Sequence, residues 1–315
     1  MSIITQGRPR CGRLAPSPTG ALHIGNVRTF LVAWLQMRVC GGKIRLRIED
    51  LDHPKHKPGA ETALIEDLQW LGFDWDGTIV RQTERYIYYE TALKALAPGL
   101  YPCYCSRADI QRAQSAPHPG EVLRYPGTCR PFSSGVRPFE LLITGSPAPA
   151  WRVALTEQED GRFTDGFFGP YPYRAAELTG DFVVARGREP AYTLAVVVDD
   201  AAMNVTDVVR GDDILPVTPA QYILYHRLGL PPPTFFHIPL VIGIDGRRLA
   251  KRHGDTRISS YRTAGIEPGR LLSALGRSCG WLSSSEQVNS PLELLPRFSL
   301  ETIPRTPFVW HDSLL

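Results

Sequence analysis

The run Pro16-Ser17-Pro18-Thr19-Gly20 places the tightest limit on what this chain can fold into. Proline lacks the N–H that a sheet ladder needs and glycine favours turns, so a strand over residues 12–15 has to stop here and the chain must bend. Beyond the bend, Leu22, Val27, Phe30, Leu31, Trp34 and Leu35 recur at helical spacing as far as residue 39, before Gly41-Gly42. That predicts a helix with one buried face. Residues 43–49 then alternate Ile44, Leu46 and Ile48 with Lys43, Arg45 and Arg47, the period of a strand, and its carboxyl end carries Glu49, Asp50 and Asp52. Strand, turn, helix, strand implies a right-handed crossover and an α/β fold. Its parallel sheet binds ligands beyond the carboxyl ends of the strands.

Farther along, residues 59–71 and 86–96 read as amphipathic helices. Residues 101–150 hold a cysteine cluster among prolines, glycines and serines, as in an insertion rather than a sheet core. Strand-like runs return at 181–185 and at 192–198, the latter ending on Asp199-Asp200. Residues 219–228 look helical, 240–244 form a short strand before a basic, glycine-flanked loop, and 268–275 form a helix. The tail from 282 is poorly periodic, and no internal repeat is visible. The resulting division is a first half of a nucleotide-binding domain (1–100), a metal-binding insertion (101–150), the remainder of the insertion with the second half of that domain (151–245), and a short helical subdomain (246–315).

A chain of 315 residues with 43% hydrophobic composition can bury a core without disulfide staples. Its first twenty residues lack a signal-peptide apolar run, and no later stretch approaches a membrane span, so a soluble cytoplasmic protein without membrane attachment is expected. A formal charge of +3 permits a polyanionic partner without demanding one. Of the six cysteines, Cys103, Cys105 and Cys129 cluster. Three thiolates at such spacing suit a structural Zn²⁺, which takes four ligands. Tyr125, four residues before Cys129, and His118 are both candidates for the fourth.

The turn and helix start together read Arg13-Leu14-Ala15-Pro16-Ser17-Pro18-Thr19-Gly20-Ala21-Leu22-His23-Ile24-Gly25-Asn26. A helix amino terminus following a first strand favours anions through its unpaired N–H groups and its dipole. His23 and Asn26 add donors there, and Gly25 lets a nucleotide approach the backbone. This string resembles the HIGH motif of class I aminoacyl-tRNA synthetases, in its glutamyl-type version. Arg248-Leu249-Ala250-Lys251-Arg252, after Ile244-Asp245-Gly246, is similar to the second signature of that class, the KMSKS loop. It departs from that pattern at the first, second, third and fifth positions and keeps the lysine at Lys251.

The resemblance covers roughly residues 10–280, with ordered support from Glu49-Asp50-Leu51-Asp52, Tyr192, Val198-Asp199-Asp200 and Val209-Arg210-Gly211-Asp212-Asp213. It implies a Rossmann-type catalytic domain with a zinc-containing insertion. It further implies a glutamate pocket of Arg13, Ala15, Ser17, Glu49, Tyr192 and Arg210, and an ATP site of Pro16, Thr19, His23, Gly25, Asn26, Leu249 and Lys251. His23, Asn26 and Lys251 would be the catalytic groups, with Mg²⁺ accompanying ATP. Glutamate carries two carboxylates and an ammonium, so guanidinium forks and one acidic partner are the chemistry its recognition needs. In the branch suggested, Tyr125 is the fourth zinc ligand beside Cys103, Cys105 and Cys129.

After Arg252 the chain is too short for the helical anticodon-binding domains of a bacterial glutamyl-tRNA synthetase. It is therefore similar to the shorter family of glutamyl-queuosine tRNA(Asp) synthetases. That resemblance implies transfer of glutamate to queuosine in the anticodon stem-loop of tRNA(Asp); a monomer is expected. Three other readings stay open: a truncated conventional synthetase charging the tRNA 3′ end, a catalytically silent RNA-binding paralogue, and a nucleotidyltransferase with a small acceptor. Intact His23, Asn26 and Lys251 weigh against the second, and Arg13, Glu49 and Arg210 together against the third.

Overall fold

The computed structural model describes residues 8–18, 20–51, 58–113, 124–130, 148–178, 180–247, 249 and 256–315. Thr19, Asp52, His118 and, in the basic loop, Arg248, Ala250, Lys251 and Arg252 lie outside the described residues.

Strand β1 (Cys11–Leu14) leads through the proline turn to helix α1 (Ile24–Val39), and β2 (Lys43–Ile48) returns parallel to β1 with Leu14 opposite Leu46. Helix α2 (Ala60–Trp70) carries the chain to β3 (Val80–Arg81), parallel to β2, and α3 (Tyr86–Leu96) follows. The next elements are β4 (Leu100–Cys103), α4 (Arg107–Ala113), β5 (Ala150–Val153), β6 (Gly161–Asp165), β7 (Gly169–Tyr173), β8 (Val183–Arg186) and β9 (Glu189–Pro190). Here the pairing turns antiparallel, as a sheet ordered β4, β5, β8, β9 and a separate β6–β7 hairpin. The insertion thus runs through this whole stretch.

The parallel core resumes with α5 (Tyr192–Ala202), β10 (Asp207–Gly211), α6 (Thr218–Arg227) and β11 (Thr234–Ile238), with β10 and β11 parallel. Strand β10 lies on the flank of β1 away from β2: Thr206 N donates to Cys11 O at 2.8 Å, and Arg13 Nη1 donates to Val209 O at 3.0 Å. The crossover direction therefore reverses between β1 and β10. In an open α/β sheet that reversal leaves a crevice at the carboxyl ends of the two strands. Strand β12 (Val241–Ile242), α7 (Ile258–Thr263), α8 (Pro268–Ser278) and β13 (Phe308–Val309) complete the chain. The tail is more ordered than its sequence suggests, because β13 pairs in parallel with β12 and Trp310 is buried.

Two expectations need correction, on residues 192–198 and on the single buried face of α1. Residues 192–198 are helix, not strand. All seven residues from Leu194 to Asp200 are buried, and a short apolar run buried on every side has no periodicity by which to tell the two apart. Helix α1 is buried on most of its circumference, polar Arg28 and Gln36 included, because it packs against β1, β10 and the carboxyl-terminal segment. Arg28 is satisfied there by Pro239 O at 2.8 Å and Ser278 Oγ at 3.0 Å. Arg47, on the nominally polar side of β2, has no exposed surface. Among the described residues, no helix is long and apolar enough to cross a membrane.

Candidate active site

A cleft of about 400 Å³ opens at the reversal point between β1 and β10. Its floor comes from the strand ends, with Arg13 and Ala15 following β1, Glu49 following β2, and Arg210 and Gly211 closing β10. One wall is the proline turn and helix start, with Pro16, Ser17, His23, Gly25 and Asn26. Tyr192, the first residue of α5, and Leu249 also line it. Every described residue proposed from sequence for the amino acid or nucleotide site thus meets in one cavity. Thr19 and Lys251 lie outside the described residues. The flanks of the lysine loop nevertheless reach the site: Leu249 lines the cleft, and Thr256 O accepts from Ile24 N at 3.1 Å.

His23 is the N-cap of α1. Its Nδ1 accepts from Gly25 N at 3.1 Å, while Asn26 Oδ1 accepts from His23 N at 3.2 Å, a reciprocal capping box. Because Nδ1 accepts, the proton of the neutral imidazole sits on Nε2. Asn26 spends its oxygen on the cap and keeps its amide donors. A Cβ on Gly25 would stand 3.1 Å from both Cε1 and Nδ1 of His23, so a larger residue there would push the ring by a few tenths of an ångström.

Behind the floor is a charged network that sequence did not reveal. Arg47 donates to Asp200 Oδ1 at 2.5 Å and to Glu49 Oε1 at 3.0 Å, with Asp199 at 4.0 Å. Arg13 Nε lies 3.6 Å from Asp200, while Asp199 also receives Gln82, Arg85 and Tyr89. Burial works against the Arg47 cation, but Asp200, Glu49 and Asp199 outweigh it and hold its pKa well above the ordinary value. Burial raises the Glu49 carboxyl pKa, with Arg47 and Arg13 opposing. Asp199 and Asp200, matched from sequence to the catalytic domain, therefore act beneath the cleft rather than in it. Asp50 turns away and accepts from Thr83 N at 2.9 Å and Thr83 Oγ1 at 2.6 Å.

Apart from the cleft, the sulfurs of Cys103, Cys105 and Cys129 lie within 4.8 Å of one another, and Cys105 Sγ is 3.6 Å from Cys129 Sγ. Tetrahedral zinc with bonds of about 2.3 Å sets its sulfurs roughly 3.8 Å apart, so this cluster can hold a metal such as zinc. Tyr125 Oη lies 3.5 Å from Cys103 Sγ and accepts from Cys129 N at 2.7 Å. The Arg152 guanidinium stacks 3.6 Å over the Tyr125 ring, placing a cation beside the thiols. Burial raises the Cys103 pKa, but Tyr125 and Arg152 more than offset it and bring it down to about 7, whereas burial, Cys129 and Cys103 push Cys105 up to about 12, so the cluster favours one thiolate at the expense of its neighbour.

Comparison with known proteins agrees with this geometry. Residues 11–303 match the family model for the catalytic domain of class I tRNA synthetases (E and Q). The chain is 46% identical to the glutamyl-Q tRNA(Asp) synthetase of Symbiobacterium thermophilum, covering 94% of each protein. It is 40% identical to glutamate–tRNA ligase 2 of Halorhodospira halophila over 96% of this chain but 64% of that protein. Its fold superimposes with a TM-score of 0.82 on the glutamate tRNA ligase of Elizabethkingia meningosepticum, solved with its amino acid, at 25% identity, covering 98% of this chain and 68% of that one. With an intact first signature, a cleft at the strand reversal and near-complete coverage of the Symbiobacterium relative, the chain belongs to the glutamyl-Q tRNA(Asp) synthetase family of class I synthetases.

Proposed function

We propose that this protein activates L-glutamate with ATP and transfers the glutamyl group to queuosine in the anticodon of tRNA(Asp). The observation that carries this reading is the meeting of Arg13, Glu49, Tyr192 and Arg210 with His23 and Asn26 in a single cleft. Two guanidinium groups and one carboxylate match the two carboxylates and the ammonium of glutamate. Arg13 and Arg210 face the carboxylates, Glu49 faces the ammonium, Tyr192 closes one side, and Ala15 and Ser17 line the entry. Pro16, Thr19, Gly25 and Leu249 hold the nucleotide beside His23, Asn26 and Lys251.

The α-carboxylate is already a nucleophile, so the chemistry asks only for in-line placement and for stabilisation of charge on the phosphates. His23 Nε2–H and the Asn26 amide donate toward the phosphates, and Lys251 neutralises the departing pyrophosphate. Mg²⁺ bound with ATP supplies further charge neutralisation on the phosphate oxygens. A hydroxyl of the queuosine diol then attacks the glutamyl carbonyl, forming an ester as the bond to AMP breaks. Cys103, Cys105, Cys129 and Tyr125 form a structural zinc site, and the protein acts as a monomer.

The deciding experiment transfers radiolabelled glutamate, with ATP, to tRNA pools that contain or lack queuosine. Label on the queuosine-containing pool alone is expected, lost after periodate cleavage of the queuosine diol and retained when only the terminal adenosine is removed. Equal label on both pools, abolished by trimming that adenosine, would identify 3′-end charging instead.

A further inference from the structure

Behind the cleft, Arg210 is held by side chains that do not line it. Its Nε–H donates to His237 Nε2 at 2.9 Å, its Nη2 donates to Thr218 Oγ1 at 2.7 Å, and its guanidinium carbon lies 4.5 Å from the centre of the Phe235 ring. Arginine has donors and no acceptor, so the imidazole nitrogen that faces it must accept. The other ring nitrogen, Nδ1, is 2.6 Å from Asp165 Oδ2. An ionised carboxylate only accepts, so Nδ1 must donate. Together these facts make His237 neutral, with its proton on Nδ1. Burial acts the same way, pulling the His237 pKa below its ordinary value against the opposing hydrogen bond to Asp165.

Asp165 is itself fixed in place. Its Oδ1 accepts from Phe167 N at 2.9 Å and Phe168 N at 2.8 Å across the β6–β7 turn, and its Oδ2 accepts from His237 N at 3.2 Å. Gly166 makes that approach to β11 feasible, since a Cβ there would stand 2.1 Å from the Phe236 ring. The anchors on Arg210 are neutral. Among the described residues Arg210 forms no ion pair, whereas Arg13 and Arg47 both pair with Asp200. A carboxylate in place of His237 would orient the guanidinium equally well but would quench its charge. A neutral imidazole orients it and leaves the charge for a ligand.

We propose that Asp165 and His237 are positioning residues for the amino-acid substrate: Asp165 selects the His237 tautomer, and that tautomer aims the remaining N–H groups of Arg210 at a substrate carboxylate. The inference rests on the reading that Arg210 binds glutamate.

Asp165→Asn tests it, because Asn keeps an oxygen for the turn amides and for His237 N, which already lies 3.4 Å from Oδ1, and can place its NH₂ opposite Nδ1. The imidazole proton then moves to Nε2, where it confronts the Arg210 Nε–H, donor against donor, and competes with Arg210 Nη2 for Thr218 Oγ1, 3.0 Å from Nε2. In ATP–pyrophosphate exchange, the glutamate KM is expected to rise about tenfold or more, as for a lost hydrogen bond to a charged group, with the ATP KM within about twofold. Adding His237→Gln, whose Oε1 can accept from Arg210 in any protonation state, should recover most of the loss. Equal changes in both KM values, or no change in either, would overturn the inference. Long-range ¹H–¹⁵N spectra of histidine-labelled wild-type protein, with His237 assigned from His237→Gln, give an independent decision. A proton on Nδ1 is expected, and one on Nε2 or on both nitrogens overturns the inference even if Asp165→Asn fails to fold. Absence of any glutamate-dependent exchange in the wild type would instead refute the substrate reading.

Discussion

Arg47→Met removes the fully buried cation beneath the cleft while keeping most of its volume. Arg47 faces Asp200 at 2.5 Å, Glu49 at 3.0 Å and Asp199 at 4.0 Å, so the substitution leaves buried carboxylates short of one positive charge. Breaking a buried pair from one side costs about 3–5 kcal/mol. Arg13, 3.6 Å from Asp200, and Arg85, 2.5 Å from Asp199, remain to share the load, which places the expected loss near the lower figure. For a chain of this size, about 3 kcal/mol lowers the thermal midpoint by roughly 4–5 °C. Glu49 responds as well. Arg47 is the strongest force opposing the upward pull of burial on its carboxyl, so in the variant Glu49 takes up a proton at higher pH than in the wild type. The glutamate KM in ATP–pyrophosphate exchange should therefore rise, and rise more steeply as the pH is lowered, than in the wild type. Arg47→Lys, which keeps the charge but loses the fork, should fall between. Arg174→Ala is the control, since its pair with Glu177 is solvent-exposed on both sides and its loss should not move the midpoint. If Arg47→Met melted with that control and kept the wild-type glutamate KM, the network would not be what supports the site.

Asp67 titrates in the opposite sense from a stabilising carboxylate. Burial, against Arg262, lifts its pKa from 3.8 to about 6, so between those values the folded chain holds a proton that the unfolded chain releases, and stability falls as pH rises through that window. Asp67→Asn should gain about 1–2 kcal/mol at pH 7.5 and nothing at pH 4 in urea titrations, the lost Arg262 contact included; an equal gain at both values would disprove the assignment. Gly25→Ala should separate stability from activity: alanine improves the helix, but its Cβ would press on His23 at 3.1 Å. An unchanged or higher melting temperature with about a tenfold loss in kcat/KM for ATP is expected, and wild-type kinetics would show that the ring position is immaterial. Cys105→Ser should reduce zinc, measured by elemental analysis, from near one equivalent per chain to a small fraction, whereas wild-type protein with less than about a tenth of an equivalent would remove the site altogether.

The cleft was legible from sequence where its chemistry lies along a single strand end or turn. His23, Gly25 and Asn26 share one helix start, and the same local geometry that caps α1 sets their donors beside the cleft. Glu49 and Arg210 stand at strand ends, where an open α/β sheet places its ligands. Asp165 and His237 were not legible, because nothing in the spacing of a hairpin corner and a strand interior says that tertiary packing brings them to 2.6 Å.

The misread helix and the buried arginine near the cleft have one physical cause. Alternation along β2 does not reveal that Arg47 is buried, because a strand's own pattern records only which residues share a face, not whether that face is covered. The cover is α5, whose apolar residues 192–198 read as strand because burial on all sides erases helical periodicity. Once that segment is a helix laid over the sheet, Asp199 and Asp200 come down on Arg47, and the arginine becomes an interior residue with its counter-charges supplied. Neither sequence feature implies this alone: an apolar run ending in two aspartates suggests a strand end, and an arginine in an alternating strand suggests a wet surface. Read together, an unpaired cation on one element and an acidic pair at the end of an all-apolar segment satisfy each other only if the segment buries both. Charge balance, more than periodicity, is the signal that would have identified α5.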